Sequence, residues 1–536
     1  MTTPRLLMAC TFTALFTGGC ASTPVFRDQP VVWRVDDARN IPEPEEWSFD
    51  KTEYFAKVLF LRRLDRALEL RDHEPAHNTN ALDELPDSTW FQNRIGARTI
   101  TPEQAVNGPD TGGPPQPPLT VVRSKVGGGN PGFVAKDKTG RTFVVKFDTR
   151  ENPELQTAAG VLVNRIFWTI GYNVPSDHVF HFRREELTVA PDATFIDQLK
   201  NKRPLTNADL DPILATSPQL PDGGYRASAS QFLEGVPKGG CPAEGVRDDD
   251  PNDIVPHEHR RELRGLRVFA AWTAHTDMKE DNTLDMYVKE GGRRFLKHYL
   301  IDFGEALGGH VAEKDRREDG WEYVLDWEMQ AKATLALGLW KRHWEDITPT
   351  PWLSIGSFSA RPFDPVLWRE AYPYWPFFET DLADSYWAAK IVMRFDRPML
   401  EAIVATGKLS DPAAAAYLVD ALLARRDAIG RAYIEGVTPL DHWRIEGGML
   451  CATDLGVSTG LATTGVVERL GNDRGFIAES RTVDRQGRVC LPLPAGDEYT
   501  VWQLQVRRGR ETRRPMELHL KGGPNARVLG LRRILP

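Results

Sequence analysis

One segment in the middle of the chain constrains the fold most, because it places several chemically active side chains around one tight hairpin. A helix is predicted over about 257–274, and the polar stretch His-Thr-Asp-Met-Lys-Glu-Asp-Asn follows at 275–282. Residues 283–289 and 294–300 then form a predicted hairpin across Glu-Gly-Gly, and this hairpin leads directly into Ile-Asp-Phe-Gly at 301–304. We therefore expect a helix, a loop and a hairpin whose two ends lie close together.

Phosphoryl transfer requires the side chains that this segment supplies. One carboxylate must orient the attacking hydroxyl, and two further ligands must hold Mg²⁺ against the triphosphate. Asp277 is placed to face the hydroxyl, and Lys279 is placed to reach the transferring phosphate. Asn282 and Asp302 lie on the two sides of the hairpin and can converge on the same metal ion. The segment therefore supplies, at one spot, the groups that phosphoryl transfer from a metal-bound nucleotide needs.

The 275–282 stretch and the Asp-Phe-Gly that follows resemble the catalytic loop and metal-binding motif of the protein-kinase superfamily. This resemblance implies that Gly127, Gly129 and Gly132 form the Gly-x-Gly-x-x-Gly loop over the nucleotide phosphates. It also implies that Lys146, on a predicted strand, holds the α- and β-phosphates, and that Glu154, on the next helix, is its ion-pair partner. The implied cofactors are ATP and Mg²⁺.

The sequence departs from the family pattern at three points. Thr276 stands where the family has Arg, so activation-loop phosphorylation of the familiar kind is not expected. No Ala-Pro-Glu motif follows Asp302, which leaves the docking of peptide substrates open. Glu154 follows the strand lysine by only eight residues, so Glu151 is a reserve candidate. The phrase Gly-Tyr-Asn-Val-Pro at 171–175 looks nearer to HipA-like and other atypical kinases than to the common eukaryotic type.

The predicted fold class is α+β, a two-lobed protein-kinase-like body with additions at both ends. We expect a signal peptide over 1–20 and an N-terminal extension over 21–118. A β-rich N-lobe over 119–236, with an insertion near 191–224, and a helical C-lobe over 237–440 should follow. A β-rich, sandwich-like module is expected over 441–536. The extension ends in a Pro- and Gly-rich linker at 108–118. Steps of three and four between apolar residues predict that it also holds a helix near 51–70, with Tyr54, Val58, Leu61, Leu64 and Leu68 on one face.

The first twenty residues predict export. Arg5 precedes an apolar run too short to span a bilayer, and Thr-Gly-Gly-Cys at 17–20 resembles a bacterial lipobox in which Cys20 is lipidated. A plain signal peptide or a buried N-terminal helix is the alternative. An exported compartment permits a disulfide between Cys451 and Cys490, although two buried thiols fit the sequence equally well. We expect a bacterial cell-envelope protein that contacts the membrane through its lipid anchor only.

Charge and composition narrow the function further. The 536 residues carry 67 Lys and Arg against 75 Asp and Glu, and this mildly acidic balance argues against a nucleic-acid partner. We expect a phosphotransferase that moves the γ-phosphate of Mg-ATP to a hydroxyl of an unidentified protein or small-molecule acceptor. Two alternatives stay open: a catalytically silent pseudokinase that acts as a binding or scaffold protein, and an adenylyltransferase on the same fold.

Overall fold

Three main clusters of buried apolar side chains organise the chain, one in each lobe and one in the C-terminal module. The computed structural model describes residues 25–48, 50–68, 74–110, 112–125, 129–197, 201–310, 314–471, 476–494 and 496–534. The predicted signal peptide with Cys20, and also Gly127, lie outside the described residues. None of the helices in the described part of the chain is both long and apolar enough to cross a membrane.

The N-terminal extension contains a bent helix. It has three parts, α1 Lys51–Ala56, a π-helical turn Lys57–Leu61 and α2 Arg62–Leu68, and the separate helix α3 spans Pro102–Asn107. The helix near 51–70 is thus present, but its predicted apolar face is wrong beyond Val58. A π-helical turn adds a residue to the turn and rotates everything after it. As a result Arg62 is buried, whereas Leu61, Leu64 and Leu68 are each more than half exposed.

The N-lobe is built on a seven-stranded mixed sheet. Its strands are β1 Leu119–Ser124, β2 Gly132–Lys136, β3 Thr142–Lys146, β4 Asp177–Phe182, β5 Leu187–Ile196, β6 Lys202–Pro204 and β7 Tyr225–Gln231. They lie in the order β4-β7-β3-β2-β1-β5-β6, in which β1 and β5 are parallel and the other neighbours antiparallel. The predicted insertion supplies the end of β5, β6 and helix α5, Asn207–Thr216. Lys146 therefore ends a central strand of the sheet.

Helix α4, Leu155–Ile170, connects β3 to β4; most of its residues are buried, and six of them belong to the largest core. The pattern Asn-Pro-Glu at 152–154 predicts Asn152 as the N-cap of this helix, but the observed N-cap is Glu154, two residues later, at a φ of +66°. Asp148 explains the shift, because its buried carboxylate accepts hydrogen bonds from the N–H groups of Glu154, Gln156 and Thr157. The start of α4 is therefore fixed by a residue in the preceding loop.

The C-lobe surrounds the largest core. Its regular elements are β8 Val236–Pro237, α6 Arg261–Thr273, β9 Thr283–Glu290, β10 Arg293–Leu300, α7 Trp327–Leu335, α8 Trp375–Phe378, α9 Leu382–Val392, α10 Arg397–Ala405 and α11 Pro412–Ile429, which continues as a π-helical turn Gly430–Ile434. Strands β8, β9 and β10 form a small antiparallel sheet, and the β9–β10 hairpin is the one predicted from the sequence. Helices α4, α6, α9, α10 and α11 supply the buried side chains of the core.

The C-terminal module is a β-sandwich. Its elements are β11 Leu440–Glu446, β12 Met449–Asp454, α12 Leu455–Ser458, β13 Val466–Leu470, β14 Ile477–Thr482, β15 Arg488–Pro492, β16 Tyr499–Arg508, β17 Glu511–Thr512, β18 Met516–Lys521 and β19 Arg527–Arg533. The sheet β11-β12-β15 and the sheet β14-β13-β16-β18-β19, with β17 on β16, share one core. Cys451 and Cys490 lie opposite each other on β12 and β15 and form a disulfide.

The α+β class, the two-lobed body and the β-rich C-terminal module predicted from the sequence are confirmed by these elements. The domain boundaries at 118, 236 and 440 stay predictions.

Replacing Cys451 and Cys490 by serine is expected to destabilise the C-terminal module. The bridge joins residues 39 apart in sequence, and closing a loop of that size in the unfolded chain is worth about 3–4 kcal/mol. Denaturant unfolding, followed by hydrogen exchange in β12 and β15, should show a lower midpoint for the double variant. A reductant should lower the wild-type midpoint to the same value, and equal midpoints without reductant would contradict the prediction.

Candidate active site

The 275–282 loop gathers its polar side chains on Asp277. Lys279 Nζ donates to both carboxylate oxygens of Asp277 at 2.7 Å. Asn282 Nδ2 donates to Asp277 Oδ2 at 2.8 Å and to the Asp277 carbonyl at 2.7 Å. Burial lowers the pKa of Lys279, but the Asp277 carboxylate more than offsets this effect and raises that pKa above its usual value. A charged lysine and an amide are therefore held on one carboxylate.

The hairpin places Asp302 beside this loop. Thr283 on β9 lies opposite Leu300 on β10, and the Ile301 N–H donates to the Asn282 carbonyl at 3.0 Å. Asn282 therefore comes just before the first strand and Asp302 just after the second, so the two residues lie near each other at the open end of the hairpin. Asp302 has a φ of +61°, a left-handed conformation that costs on the order of 1–3 kcal/mol and is concentrated at functional sites.

An ion pair joins the two lobes at this point. Lys146 Nζ, from the end of β3, donates to Asp302 Oδ1 at 2.6 Å. The Asp302 side chain is 42% exposed, and the part that is buried loses hydration, which would raise its pKa. The ammonium groups of Lys146, Lys125 and Lys279 outweigh this effect and lower the pKa of Asp302 to about 2. Two predicted site residues, Lys146 and Lys279, and one unpredicted lysine, Lys125, thus act on the same carboxylate.

Glu154 does not pair with Lys146. Its carboxylate accepts hydrogen bonds from the Ser410 N–H at 3.0 Å and the Ser410 Oγ at 3.2 Å. Within the described ranges, neither Glu154 nor Glu151 forms an ion pair with Lys146, whose partner is Asp302. The expectation of a Lys146–Glu154 pair is therefore corrected. Its cause is the late start of α4, which leaves Glu154 in the turn before the helix.

Asp177 is a residue of this site that the sequence does not reveal. It begins β4, two strands from Lys146, and the lysine ammonium lies within electrostatic reach of its carboxyl group. Burial raises the pKa of Asp177 to about 6, against the opposing effects of a hydrogen bond from Ser230 and the charges of Lys146 and Arg165. A single aspartate at the start of a strand carries no motif, so only the folded structure identifies it.

The glycine-rich segment lies next to Lys146, the N-lobe partner in the Lys146–Asp302 ion pair. Gly132 lies opposite Lys146 in the β2–β3 ladder, and a Cβ atom at Gly132 would lie 2.2 Å from the Val145 carbonyl oxygen. Gly129 lies in a bend just before β2. Lys125 Nζ donates to the Asn130 carbonyl at 3.2 Å, which ties the two sides of this segment together. Close contact between backbones explains the glycine at 132.

Three buried rings, of Phe167, His275 and Phe303, pack together next to the segments that carry Asp277 and Asp302. The Phe303 ring lies 5.0 Å from Phe167 of α4 and 5.6 Å from His275, measured between ring centroids. His275 is fully buried, and its Nδ1 donates to the Glu305 carbonyl at 3.2 Å. Burial lowers the pKa of His275, so the ring is neutral at physiological pH. This contact links α4, the 275–282 loop and the 302–305 turn.

The donor set fits a divalent cation and a polyphosphate. Carboxylate and amide oxygens are the ligands that Mg²⁺ prefers, and Asp277 and Asn282 of the 275–282 loop and Asp302 and Glu305 of the 302–305 turn supply them. Burial, followed by the charges of Asp277 and Asp302, raises the pKa of Glu305 to about 8. Such crowding of acidic groups is what a bound divalent ion would relieve.

Comparison with known proteins gives little beyond this geometry. No family model matches the chain, and no curated protein matches it. Two solved structures are similar: the crystal structure of the Golgi casein kinase, at 11% identity over 74% of this chain and 94% of that chain with a TM-score of 0.31, and the Golgi casein kinase with Mn/ADP bound, at 12% identity over 74% and 93% with a TM-score of 0.29. The functional assignment therefore rests on the residues of this chain.

Gly132→Ala is expected to destabilise the N-lobe, because the added Cβ must push the Val145 carbonyl away and open the ladder beside Lys146. The free energy of unfolding should fall by about 1–3 kcal/mol in denaturant titrations. Gly160→Ala on α4 is the matched control, since its Cβ would meet nothing closer than 3.8 Å. Equal stability of the Gly132 variant and the wild type would refute the tight contact.

Proposed function

We propose that the chain is a kinase-like phosphotransferase that moves the γ-phosphate of Mg²⁺-bound ATP to a hydroxyl group of an acceptor. The observation that carries the proposal is the Lys146–Asp302 pair, in which a cation from the N-lobe sheet meets a carboxylate of the C-lobe hairpin at 2.6 Å. The cluster of Asp277, Lys279 and Asn282 precedes the first strand of the same hairpin, at the open end where Asp302 also lies. Cations that can bind phosphate and oxygen ligands that can bind a metal thus lie near the point where the two lobes are joined.

Each residue has a distinct role in this proposal. Lys146 binds the α- and β-phosphates, and the backbone of Gly129 to Gly132 covers them. Asn282 and Asp302 hold the metal ion, which supplies charge neutralisation at the phosphates when bound. Asp277 orients the acceptor hydroxyl and accepts its proton as the oxygen–phosphorus bond forms and ADP leaves. Lys279, held on Asp277, turns to the γ-phosphate and stabilises the charge that develops there.

Asp177 replaces Glu154 as the second acidic neighbour of Lys146 in this proposal. The charge of Lys146 acts on its carboxyl group, whereas the Glu154 carboxylate is bonded to Ser410. An anion at this place would help to orient Lys146 when Asp302 engages the metal. A narrower membership among HipA-like kinases rests on the 171–175 phrase alone.

We also propose export to the cell envelope. The Cys451–Cys490 disulfide supports an oxidising compartment, since such bridges are rare in the reducing cytosol. Lipidation at Cys20 is the proposed means of membrane attachment. This compartment also favours the second candidate function, a pseudokinase that binds partners without catalysis, because little ATP is present outside the inner membrane.

Nucleotide binding is the first test. ATP is expected to raise the melting temperature in a Mg²⁺-dependent manner, because a ligand at about 100 times its Kd adds about 2.7 kcal/mol to the stability of the folded state. Asp302→Asn should lose the Mg²⁺-dependent part of the shift, and Lys146→Met most of the shift. Lys138→Ala, an exposed lysine in the β2–β3 turn, is the matched control and should behave as wild type. A flat response of the wild type at millimolar ATP would favour a pseudokinase.

Catalysis is tested with ATP labelled at either the γ- or the α-phosphate, with water or the protein itself as acceptor. Asp277→Asn should lower transfer of the γ-label by about 10²–10⁴-fold, the usual contribution of general base catalysis, while nucleotide affinity changes little. Transfer of the α-label instead would identify an adenylyltransferase. Nucleotide binding by the wild type without transfer of either label would leave a binding protein.

A further inference from the structure

The bent helix of the N-terminal extension reaches the candidate active site through one buried arginine. Arg62 is 1% exposed, and its guanidinium uses all three nitrogen atoms. Nη2 donates to Glu280 Oε1 at 2.5 Å, Nε donates to Glu244 Oε1 at 2.9 Å, and Nη1 donates to the Pro373 carbonyl at 3.0 Å. Residues separated from Arg62 by more than 180 positions in sequence thus meet on its side chain.

Glu280 belongs to the loop that carries the site. It lies between Lys279 and Asn282 in a 3₁₀ turn, Glu280–Asn282, and it is buried. Its Oε1 also accepts the Ala243 N–H at 3.1 Å, and its carbonyl accepts the Thr283 hydroxyl at 2.7 Å. The turn that holds Lys279 and Asn282 on Asp277 is therefore anchored through Glu280 as well.

The same helix also braces the neighbouring segment. The Phe55 ring lies 5.3 Å from the Tyr372 ring, and the Ala371 N–H donates to the Thr276 carbonyl at 2.9 Å. The segment that ends at Pro373 is thus held both by the helix and by the 275–282 loop. Thr276 brings no positive charge to this loop, so the cation that reaches Glu280 comes from the extension.

We propose that Arg62 is a positioning residue that holds the 279–283 turn in the geometry needed for metal and nucleotide binding. This inference rests on the proposed phosphotransferase function. The physical reason is that a buried ion pair cannot lose one partner cheaply. Without the guanidinium, the Glu280 carboxylate is left buried and unpaired, and it moves toward solvent together with the turn that carries it. The hydrogen bonds from Lys279 and Asn282 to Asp277 are then lost or weakened.

Hydrogen exchange and ligand affinity test this role together. In Arg62→Ala, amide exchange in 279–283 should rise by about tenfold or more, while exchange in β16 and β18 of the C-terminal module stays unchanged. Affinity for ATP with Mg²⁺ should fall by about tenfold, and affinity for ATP without metal should change little, because Lys146 is untouched. Arg62→Lys, which keeps a cation near Glu280, should recover part of the affinity.

A matched control separates the effect of the Arg62–Glu280 contact on the 279–283 turn from the effect of anchoring the bent helix in general. Glu244→Gln removes the charge of the other carboxylate partner of Arg62, which is outside the 275–282 loop, and should leave exchange in 279–283 as in the wild type. The same faster exchange in Glu244→Gln would overturn the proposal, since helix anchoring alone would then explain the effect.

The double variant Arg62→Met with Glu280→Met covers the case in which Arg62→Ala fails to fold. Replacing both partners of a buried pair by apolar residues is often neutral for stability, so this protein should unfold near the wild-type midpoint. Its affinity for ATP with Mg²⁺ should nevertheless stay low. Wild-type affinity together with wild-type exchange in 279–283 would show that Arg62 is structural only.

The two arms of the experiment also separate this inference from the proposed function. Unchanged exchange in 279–283 after Arg62→Ala overturns the positioning role, whatever the nucleotide results are. Faster exchange in a protein whose wild type never binds nucleotide overturns the phosphotransferase proposal and shows that Arg62 holds the turn for another ligand.

Discussion

The backbone hydrogen bonds of the β9–β10 hairpin hold the two halves of the site together. Thr283 lies opposite Leu300, and this register alone brings Asn282 and Asp302 next to each other. A shift by one residue would turn every side chain of one strand to the other face of the sheet. It would also move Asp302 away from Lys146, which reaches it from the N-lobe. The ion pair between the lobes therefore depends on the pairing of one short hairpin.

Local sequence patterns predict the elements that carry the site, because those elements are set by local rules. Alternating apolar residues and a Gly-Gly turn predict β9 and β10, and a helix break followed by polar residues predicts the 275–282 loop. The order of these elements places Asp277 and Asp302 near each other without knowledge of the fold. Lys146 at the end of a strand follows from the same kind of pattern.

Contacts between distant segments are outside the reach of such patterns. Glu154 has the residue type and approximate position of an ion-pair partner for Lys146, yet Asp148 delays the start of α4 and leaves Glu154 bonded to Ser410. Asp177 and Lys146 share one part of the sheet only because the strand order is β4-β7-β3, which the sequence does not indicate. The partners of these residues are decided by topology, and topology cannot be derived from a motif of a few residues.

The π-helical turn at Lys57–Leu61 has a further consequence for how this protein is compared with others. From its end onward, the charged side chain of Arg62 is buried against the rest of the protein and three leucines are exposed, so the usual relation between hydropathy and burial is inverted. An alignment that scores hydropathy will place this helix one position out of phase from residue 57 onward. Evolutionary relatives of the extension will be found more reliably by the spacing between an arginine and a distant glutamate than by any apolar stripe.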